Sequence, residues 1–573
     1  MKIETFFEKF ELFAEAPNGV QKMRELILQL AVQGKLVPQD SSDEPASVLL
    51  EKIQFNKELL IKEKKIKRNK QILHENLEKK LTKLPEGWEW TRLVDVGLIN
   101  PRNEVEDNIT ASFIPMNLIP QFYGESIKYE IKEWGDIKQG FTHFADEDAV
   151  LAKITPCFQN RKSAVMRGLE NGVGAGTTEL YVFRPLNGLV YSEYVLIYLK
   201  SPDFINSGIS KLTGTAGQKR VPNDYFSQHP FPLPPLAEQH RIVAKVDQLM
   251  SLCDELEERQ QKKRETRVLL NNVAINQLLT AREPDTFAKH WQCICNNFDL
   301  LYSAPENIGK LRQAILQLAV MGKLVPQDSS DEPAAVLLDK IRFEKELLMK
   351  EGKIKKEKLL PEITVDELEY KIPQTWVWSR LGEICELITD GTHQTPKYTP
   401  SGRIFISAQN VKPFRFMPEV HKFVSEEDYQ GYIKNRKPEV EDVLLTRVGA
   451  GIGEAAVIDK NLDFAIYVSV ALIRPFKNFI DSYYLTIWLN SPSGKHKSSI
   501  NTYGKGVSQG NLNLGLIRKF VVSIPPLKEQ KSIVAKVDQL MAICDKLEAE
   551  LALSQSEHEK LINTALHQLL IIK

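Results

Sequence analysis

The chain has 573 residues, too many for one hydrophobic core, so it folds as several domains. Charged residues make up 26% and hydrophobic ones 42%, ordinary globular composition, and no apolar run approaches the roughly 18 residues of a membrane span. The 75 basic and 75 acidic side chains balance to zero, which excludes a uniformly basic binder held to nucleic acid by bulk charge alone. The N-terminal MKIETFFEKFELF carries acids where a signal peptide needs an uncharged core, so a cytoplasmic location is expected. Six cysteines without CxxC spacing point to reduced thiols. Cys293-Ile-Cys295 lacks a second ligand pair, so no metal site is expected.

In chain order, Val20, Met23, Leu26, Ile27, Leu30 and Ala31 form an i, i+3, i+4 stripe. It predicts a short amphipathic helix stopped by Gly34, with Pro38 beyond. Asp43-Glu44-Pro45 predicts the start of a second helix, which becomes lysine-rich over 57–70, either as a solvated face or as a phosphate contact. The block 27–53 recurs at 315–341 with only Gln33/Met321, Ser47/Ala335 and Glu51/Asp339 exchanged. Each copy leads into a Trp-x-Trp pair (Trp88 and Trp90; Trp376 and Trp378) that predicts an entry strand.

The enclosed stretches, about 91–233 and 379–524, hardly resemble each other, yet both alternate short β-like runs with glycine-rich turns and hold one expected helix, at 192–202 and 481–492. Each ends in Pro-Pro-Leu and a second duplicated block, IVAKVDQLM, at 242–250 and 533–541. Ile242, Val246, Leu249, Cys253 and Leu256 step by 4, 3, 4, 3, as do Ile533, Val537, Leu540, Cys544 and Leu547. That is a heptad seam on two long helices, each of which is expected to find its mate in the other as an antiparallel coiled coil. The expected boundaries are a helical region over 1–83, a first module over 84–235, a long helix over 236–280 and a linker over 281–310. A second helical region over 311–371, a second module over 372–526 and a long helix over 527–573 follow. The fold class is mixed α/β (α+β), with a pseudo-twofold internal repeat. Near-identical blocks predict a shared partner, and divergent modules in equivalent places predict two different ligands.

Some loops carry donor-rich residues. Gly449-Ala-Gly451-Ile-Gly453 lacks a following helix and reads as a hairpin rather than a nucleotide loop, with Arg447 just before it. The equivalent hairpin in module one, 151–166, carries Lys153 and Thr155 and a tip of Gln159, Asn160, Arg161 and Lys162. Arg and Lys pair with guanine edges and Asn or Gln with adenine edges, so this tip suits major-groove reading; solvated turn chemistry is the alternative. Two further loops, 213–224 and 503–514, combine small residues with Gln218, Lys219 and Arg220, and with Lys505, Gln509 and Asn511, as a phosphate contact requires. Module two alone has TDGTHQTPKY, with His393, Thr395, Lys397 and Tyr398. The two modules are not basic slabs: 90–235 has 14 basic against 16 acidic residues and 378–525 has 18 against 14. No Asn/Asp-Pro-Pro-aromatic tetrapeptide, P-loop, HExxH or GxSxG occurs, so catalysis by this chain is not expected.

The LAVQGKLVPQ and DEPA blocks, the Trp-x-Trp entries, the TGTAGQKRVP loop and the PLPPLAEQHRIVAKVDQL exit together resemble the DNA specificity subunit of Type I restriction-modification systems over nearly the whole chain. The resemblance implies two target recognition domains, each reading half of a bipartite, asymmetric double-stranded site. It implies two docked methyltransferase subunits that carry S-adenosylmethionine, with restriction subunits using ATP and Mg²⁺ able to join them. It places no cofactor in this chain. The reading from another class is a helical scaffold with two protein-binding modules in a defence assembly and no direct DNA contact.

Overall fold

A computed structural model describes residues 14, 16, 18–66, 83–186, 188–215, 217–354, 359–503 and 510–571. In chain order, α1 (Gly19–Val32) and α2 (Ala46–Lys62) precede β1 (Glu89–Arg92), β2 (Gly97–Ile99), β3 (Thr110–Ile114), β4 (Glu130–Glu133) and β5 (Thr142–Ala145). Next come β6 (Ala149–Ala152), β7 (Ser163–Val165), β8 (Val173–Gly176), β9 (Leu180–Pro185), α3 (Ser192–Lys200), α4 (Pro202–Ile209), β10 (Pro230–Leu233) and the long α5 (Leu236–Thr280). The second half has α6 (Pro284–Asn296), α7 (Phe298–Tyr302), α8 (Pro305–Val320), α9 (Ala334–Lys350), β11 (Val377–Arg380), β12 (Cys385–Asp390), β13 (Arg403–Ile406) and β14 (Lys422–Val424). It closes with β15 (Val443–Thr446), β16 (Ala455–Val457), β17 (Phe464–Ile466), β18 (Val470–Pro475), α10 (Ser482–Asn490), α11 (Pro492–Ile500), β19 (Thr502–Tyr503), β20 (Asn511–Leu512), β21 (Val521–Ile524) and the long α12 (Leu527–Ile571).

The chain forms two compact units, residues 1–263 with 554–573, and residues 264–553. The division falls inside both long helices, so each begins in one unit and ends in the other, in opposite order. In unit 1, the sheet β2-β9-β6-β7 faces helices on one side and the sheet β4-β3-β8-β5 on the other. The alternation of β6 shows how: Ala149 and Leu151 join the core with α1, α3 and α5, while Val150 and Ala152 join the core between the sheets. A strand buried on both faces reads as an unbroken apolar run, which is what AVLA is. Unit 2 repeats the order as β12-β18-β15-β16, with β14-β13-β17 as the second sheet. The parallel pair β3–β8 of unit 1 has its counterpart in β13–β17 of unit 2. Two divergent sequences therefore take one fold.

Each module hangs on a two-stranded ladder made of its own first and last strands, β1 with β10 (Glu89↔Leu233) and β11 with β21 (Val377↔Ile524). The invariant residues of the repeat clamp this stalk. Trp88 Nε1 donates to Glu238 Oε2 at 2.9 Å and Gln39 donates to Oε1 at 2.6 Å. In unit 2, Trp376 and Gln327 do the same to Glu529, at 2.9 and 2.6 Å. Gly34 ends α1 with φ +65°, and a Cβ there would lie 2.4 Å from Pro85 Cγ and 3.0 Å from the Trp88 ring. Gly322 meets Pro373 and Trp376 in the same way. The glycine is thus both helix stop and floor for the tryptophan.

Three expectations are corrected. The seam residues do not face only the opposite long helix. Ile242, Val246, Leu249, Cys253 and Leu256 pack in one core with Met23, Ile27 and Leu30 of α1, and Ile562 from the tail of α12 joins them. Ile533, Val537, Cys544, Leu540 and Leu547 likewise pack with α8 and module two, and Leu547 also packs against a cluster that includes Leu278 from the tail of α5. The long helices do share cores, but a short repeated helix is the third member, which a heptad pattern alone does not reveal. The stretch expected as a linker, 281–310, is helical (α6, α7 and the start of α8), because Pro284 and Pro305 sit at first-turn positions where they start helices. Each module also has a second helix after the expected one: Ser201-Pro202 and Ser491-Pro492 end one helix and open the next.

Candidate nucleic-acid interface

In module one the turn between β6 and β7 and the loop 213–220 are stitched together. Ile154 and Thr213 both bridge to Arg220. The Thr155 N–H donates to the Lys219 carbonyl at 2.9 Å, and the Lys219 N–H donates to Thr155 Oγ1 at 3.1 Å. The structure thus brings Lys153, Thr155, Gln218, Lys219 and Arg220 to one edge. Arg220 is not a free phosphate ligand: Nε and Nη2 grip Glu179 at 2.9 and 2.7 Å and hold that carboxyl below the usual carboxylate range. Lys153 Nζ lies 5.1 Å over the Tyr181 ring. Gln218 and Lys219 are exposed.

The hairpin tip divides differently from the expectation. Gln159 and Asn160 are exposed, but Arg161 pairs with Glu25 of α1 at 2.9 Å, and Lys162 Nζ donates to the Met116 carbonyl at 2.9 Å. Beneath them Lys200 is wholly buried, donating to the carbonyls of Gln121 and Arg161 at 2.8 and 2.9 Å, and burial lowers its ammonium pKa to about 7. The tip opens on a pocket of about 200 Å³ lined by Arg24, Glu25, Gln121, Gln159, Asn160 and Lys200 among others. Two of its four candidate readers therefore hold the tip in place, a role invisible to residue type.

Module two keeps the backbone pattern with other side chains. The Leu512 N–H donates to the Arg447 carbonyl at 2.8 Å, as the Val221 N–H donates to the Lys153 carbonyl at 2.9 Å, and Val448 bridges to Asn511. Arg447 is buried and its guanidinium is consumed internally: Nη1 donates to Asp390 at 2.6 Å and to the Val468 carbonyl at 3.0 Å, Nε to the Leu512 carbonyl at 3.0 Å, and Nη2 to Asn511 Oδ1 at 3.0 Å. Through Nη2 it fixes the Asn511 side chain. Asp390 also receives the ring of His393 at 3.1 Å, whose side chain is 68% exposed. Thr395, Lys397 and Tyr398 follow on the exposed loop, and Lys422, which sequence reasoning did not single out, sits 4.1 Å over the Tyr398 ring. Lys505 and Gln509 lie outside the described residues.

A second surface is duplicated. On α2, Lys52, Phe55, Leu59 and Lys62 share one exposed face, copied on α9 as Lys340, Phe343, Leu347 and Lys350. Phe55 is 64% and Phe343 72% exposed. Within the lysine-rich run, Lys57 is instead structural. It donates to the Val94 carbonyl, as Lys345 donates to Gly382, and burial lowers its pKa to about 8. Among the described residues no cluster of three or more His, Cys, Asp or Glu could hold a metal ion, and no helix is long and apolar enough to cross a membrane.

Comparison with known proteins accounts for this architecture. The Type I restriction modification DNA specificity domain matches twice, at residues 85–265 and 373–553. The specificity subunit of the EcoAI Type I restriction enzyme of Escherichia coli is 40% identical, over 92% of this chain and 90% of its own. The EcoEI counterpart, also of Escherichia coli, is 38% identical over 94% and 91%. Among solved structures, the HsdS subunit from Thermoanaerobacter tengcongensis aligns with a TM-score of 0.45 at 20% identity, over 86% of this chain and 98% of that one. The two family matches and the curated relatives do not favour the scaffold reading. With two DNA specificity domains set on duplicated stalks, the chain belongs to the specificity subunits of Type I restriction-modification systems.

Proposed function

We propose that each module reads one half of a bipartite, asymmetric double-stranded DNA site in the cytoplasm. The chain itself is non-catalytic. Two methyltransferase subunits dock on the duplicated surfaces and bring S-adenosylmethionine, and restriction subunits add ATP- and Mg²⁺-dependent cleavage. The observation that carries this reading is the contrast inside one fold: the clamps Trp88–Glu238–Gln39 and Trp376–Glu529–Gln327 are the same, while the loops at equivalent places differ. Identical supports suit a partner present twice, and unlike loops suit two unlike half-sites.

Within module one, Lys219 contacts phosphate and Gln159 and Asn160 contact bases. Arg161, Lys162 and Arg220 position them. In module two His393, Thr395, Lys397 and Tyr398 take the exposed role. Phosphate contacts set affinity and base contacts set sequence. In the assembled complex, Lys219→Ala weakens binding to all sequences and flattens the salt slope, whereas Asn160→Ala or His393→Ala relaxes one position of its own half-site by about 1–3 kcal/mol. A half-site library read at several salt concentrations tests this. Indistinguishable profiles for the two classes would refute the division. For the docking surfaces, Phe55→Asp or Phe343→Asp leaves one methyltransferase subunit per chain in native mass spectra, and retention of two would refute that assignment.

A further inference from the structure

The duplicated halves differ at one layer where the repeat would have them agree. The blocks before the modules recur at an interval of 288 residues (Ile27 to Ile315), and the long helices at 291 (Ile242 to Ile533). On these intervals Asn271 of α5 corresponds to Ile562 of α12, inside NNVAINQLL and INTALHQLL. Asn307 of α8 corresponds to Gly19 of α1, and Tyr302 to Ala14. All six are buried.

In unit 1 the layer is apolar: Ala14 and Ile562 belong to one core with Val20 and Met23. In unit 2 it is polar. Asn307 Nδ2 donates to the Leu301 carbonyl at 2.6 Å and to the Arg267 carbonyl at 3.3 Å, one helical turn before Asn271. Lys310 of α8 reaches Asn272 at 2.5 Å, which fixes α8 beside this part of α5. Both amide atoms of Asn271, Oδ1 of Asn307 and Oη of Tyr302 are buried with no hydrogen-bond partner among the described residues.

Buried amides without partners destabilise the unit that holds them, so stability does not account for this layer. An isolated Asn in an apolar helix seam does have a known consequence: it selects which helices pair and in what register, at a cost in stability. We propose that the layer of Asn271, Tyr302 and Asn307 decides which helix tail docks in which unit, and so keeps the two unlike halves of one chain together against like-with-like pairing of two copies. Around this layer the tails agree at Asn272/Asn563, Ala274/Ala565, Gln277/Gln568 and Leu278/Leu569. The tail of α5 placed on unit 1 of a second copy would bury the Asn271 amide against Ala14 and Gly19. The tail of α12 placed on unit 2 of a second copy would set Ile562 against Asn307 and Tyr302. Both mismatches disfavour the dimer.

The test uses the full-length chain and does not depend on DNA reading. The exchange variant, Asn271→Ile with Ile562→Asn, inverts the preference. Native mass spectrometry and light scattering across a concentration series are expected to show a monomeric parent and at least a tenfold rise in the dimer fraction of the exchange variant. A variant as monomeric as the parent, or a parent that is itself dimeric, overturns the proposal. Should the exchange variant fail to fold, Asn271→Ile alone serves. It sets an Ile against Asn307 and Tyr302 in the chain's own unit 2 and lets the α5 tail fit the apolar layer of unit 1, so its dimer fraction is expected to exceed the parent's. A dimer fraction no higher than the parent's overturns the proposal equally.

Discussion

Replacing Glu238 by Ala tests the clamp under module one. The side chain is almost fully buried and accepts from the Trp88 indole at 2.9 Å and from Gln39 at 2.6 Å. Gln39 is exposed and regains water, so the lasting loss is the Trp88 N–H, orphaned beside the core, at about 1–3 kcal/mol. Glu238→Gln keeps an acceptor and relieves the burial that raises the native carboxyl's pKa, so it costs less. The difference between Ala and Gln is then about 1–3 kcal/mol, or roughly 5- to 150-fold in the opening equilibrium of the β1–β10 stalk. Amide hydrogen exchange over residues 89–92 and at Phe231 and Leu233 reads that equilibrium directly. Glu529→Ala is expected to cost unit 2 as much as Glu238→Ala costs unit 1, since the two geometries agree. The sign with pH follows from the raised pKa. Its stabilising contribution is complete below the ordinary glutamate range and is lost as pH rises through the raised value, and Glu238→Ala removes that dependence. Equal exchange rates for Ala and Gln, or unequal costs in the two units, would refute the clamp.

Three further outcomes are expected. His229 sits among Tyr198, Phe204 and Tyr225, and burial lowers its pKa to about 4, so its stabilisation is complete above the ordinary value near 6.5 and is lost as pH falls through about 4. His229→Phe flattens the thermal midpoint of unit 1 over that window, and an unchanged slope would count against the reading. Gly322→Ala puts a Cβ 2.5 Å from Pro373 at φ +69° and lowers the midpoint by the equivalent of about 1–3 kcal/mol. Gly309→Ala, inside α8 with nothing within 4 Å of the new methyl, raises stability by about 0.5–1 kcal/mol, and calorimetry showing the same sign for both glycines would sink the geometric argument.

Sequence alone carried the elements whose signal is local. The stripe from Val20 to Ala31 with its terminal glycine is α1, and the duplicated seam lies on helices that begin at Leu236 and Leu527. What it could not carry was choice of partner. A heptad seam states that an apolar face needs covering and not which helix covers it, so the contribution of α1 and α8 was invisible. Residue type misled in the same way at the loops. Arg447, Arg161 and Arg220 are cations in donor-rich turns, but each has a carboxylate brought to it by the fold, Asp390, Glu25 and Glu179, from distant positions in the chain. The one helix expected in each module reaches Pro202 and Pro492, where the proline instead sits in the first turn of a further helix.

The two-stranded stalk has a consequence for how such a chain changes over generations. Because β1 pairs with β10 and β11 with β21, the entry and exit of each module lie side by side, and everything between them is a closed excursion from the rest of the fold. Any foreign insert whose ends can pair as neighbouring antiparallel strands, and which brings a Trp at its start, would seat on the same Gly, Gln and Glu without disturbing either long helix. The duplicated blocks are thus also crossover points, and paired exchanges of genetic material, one in the block on each side, would replace a module whole while leaving the repeated helices of its host intact.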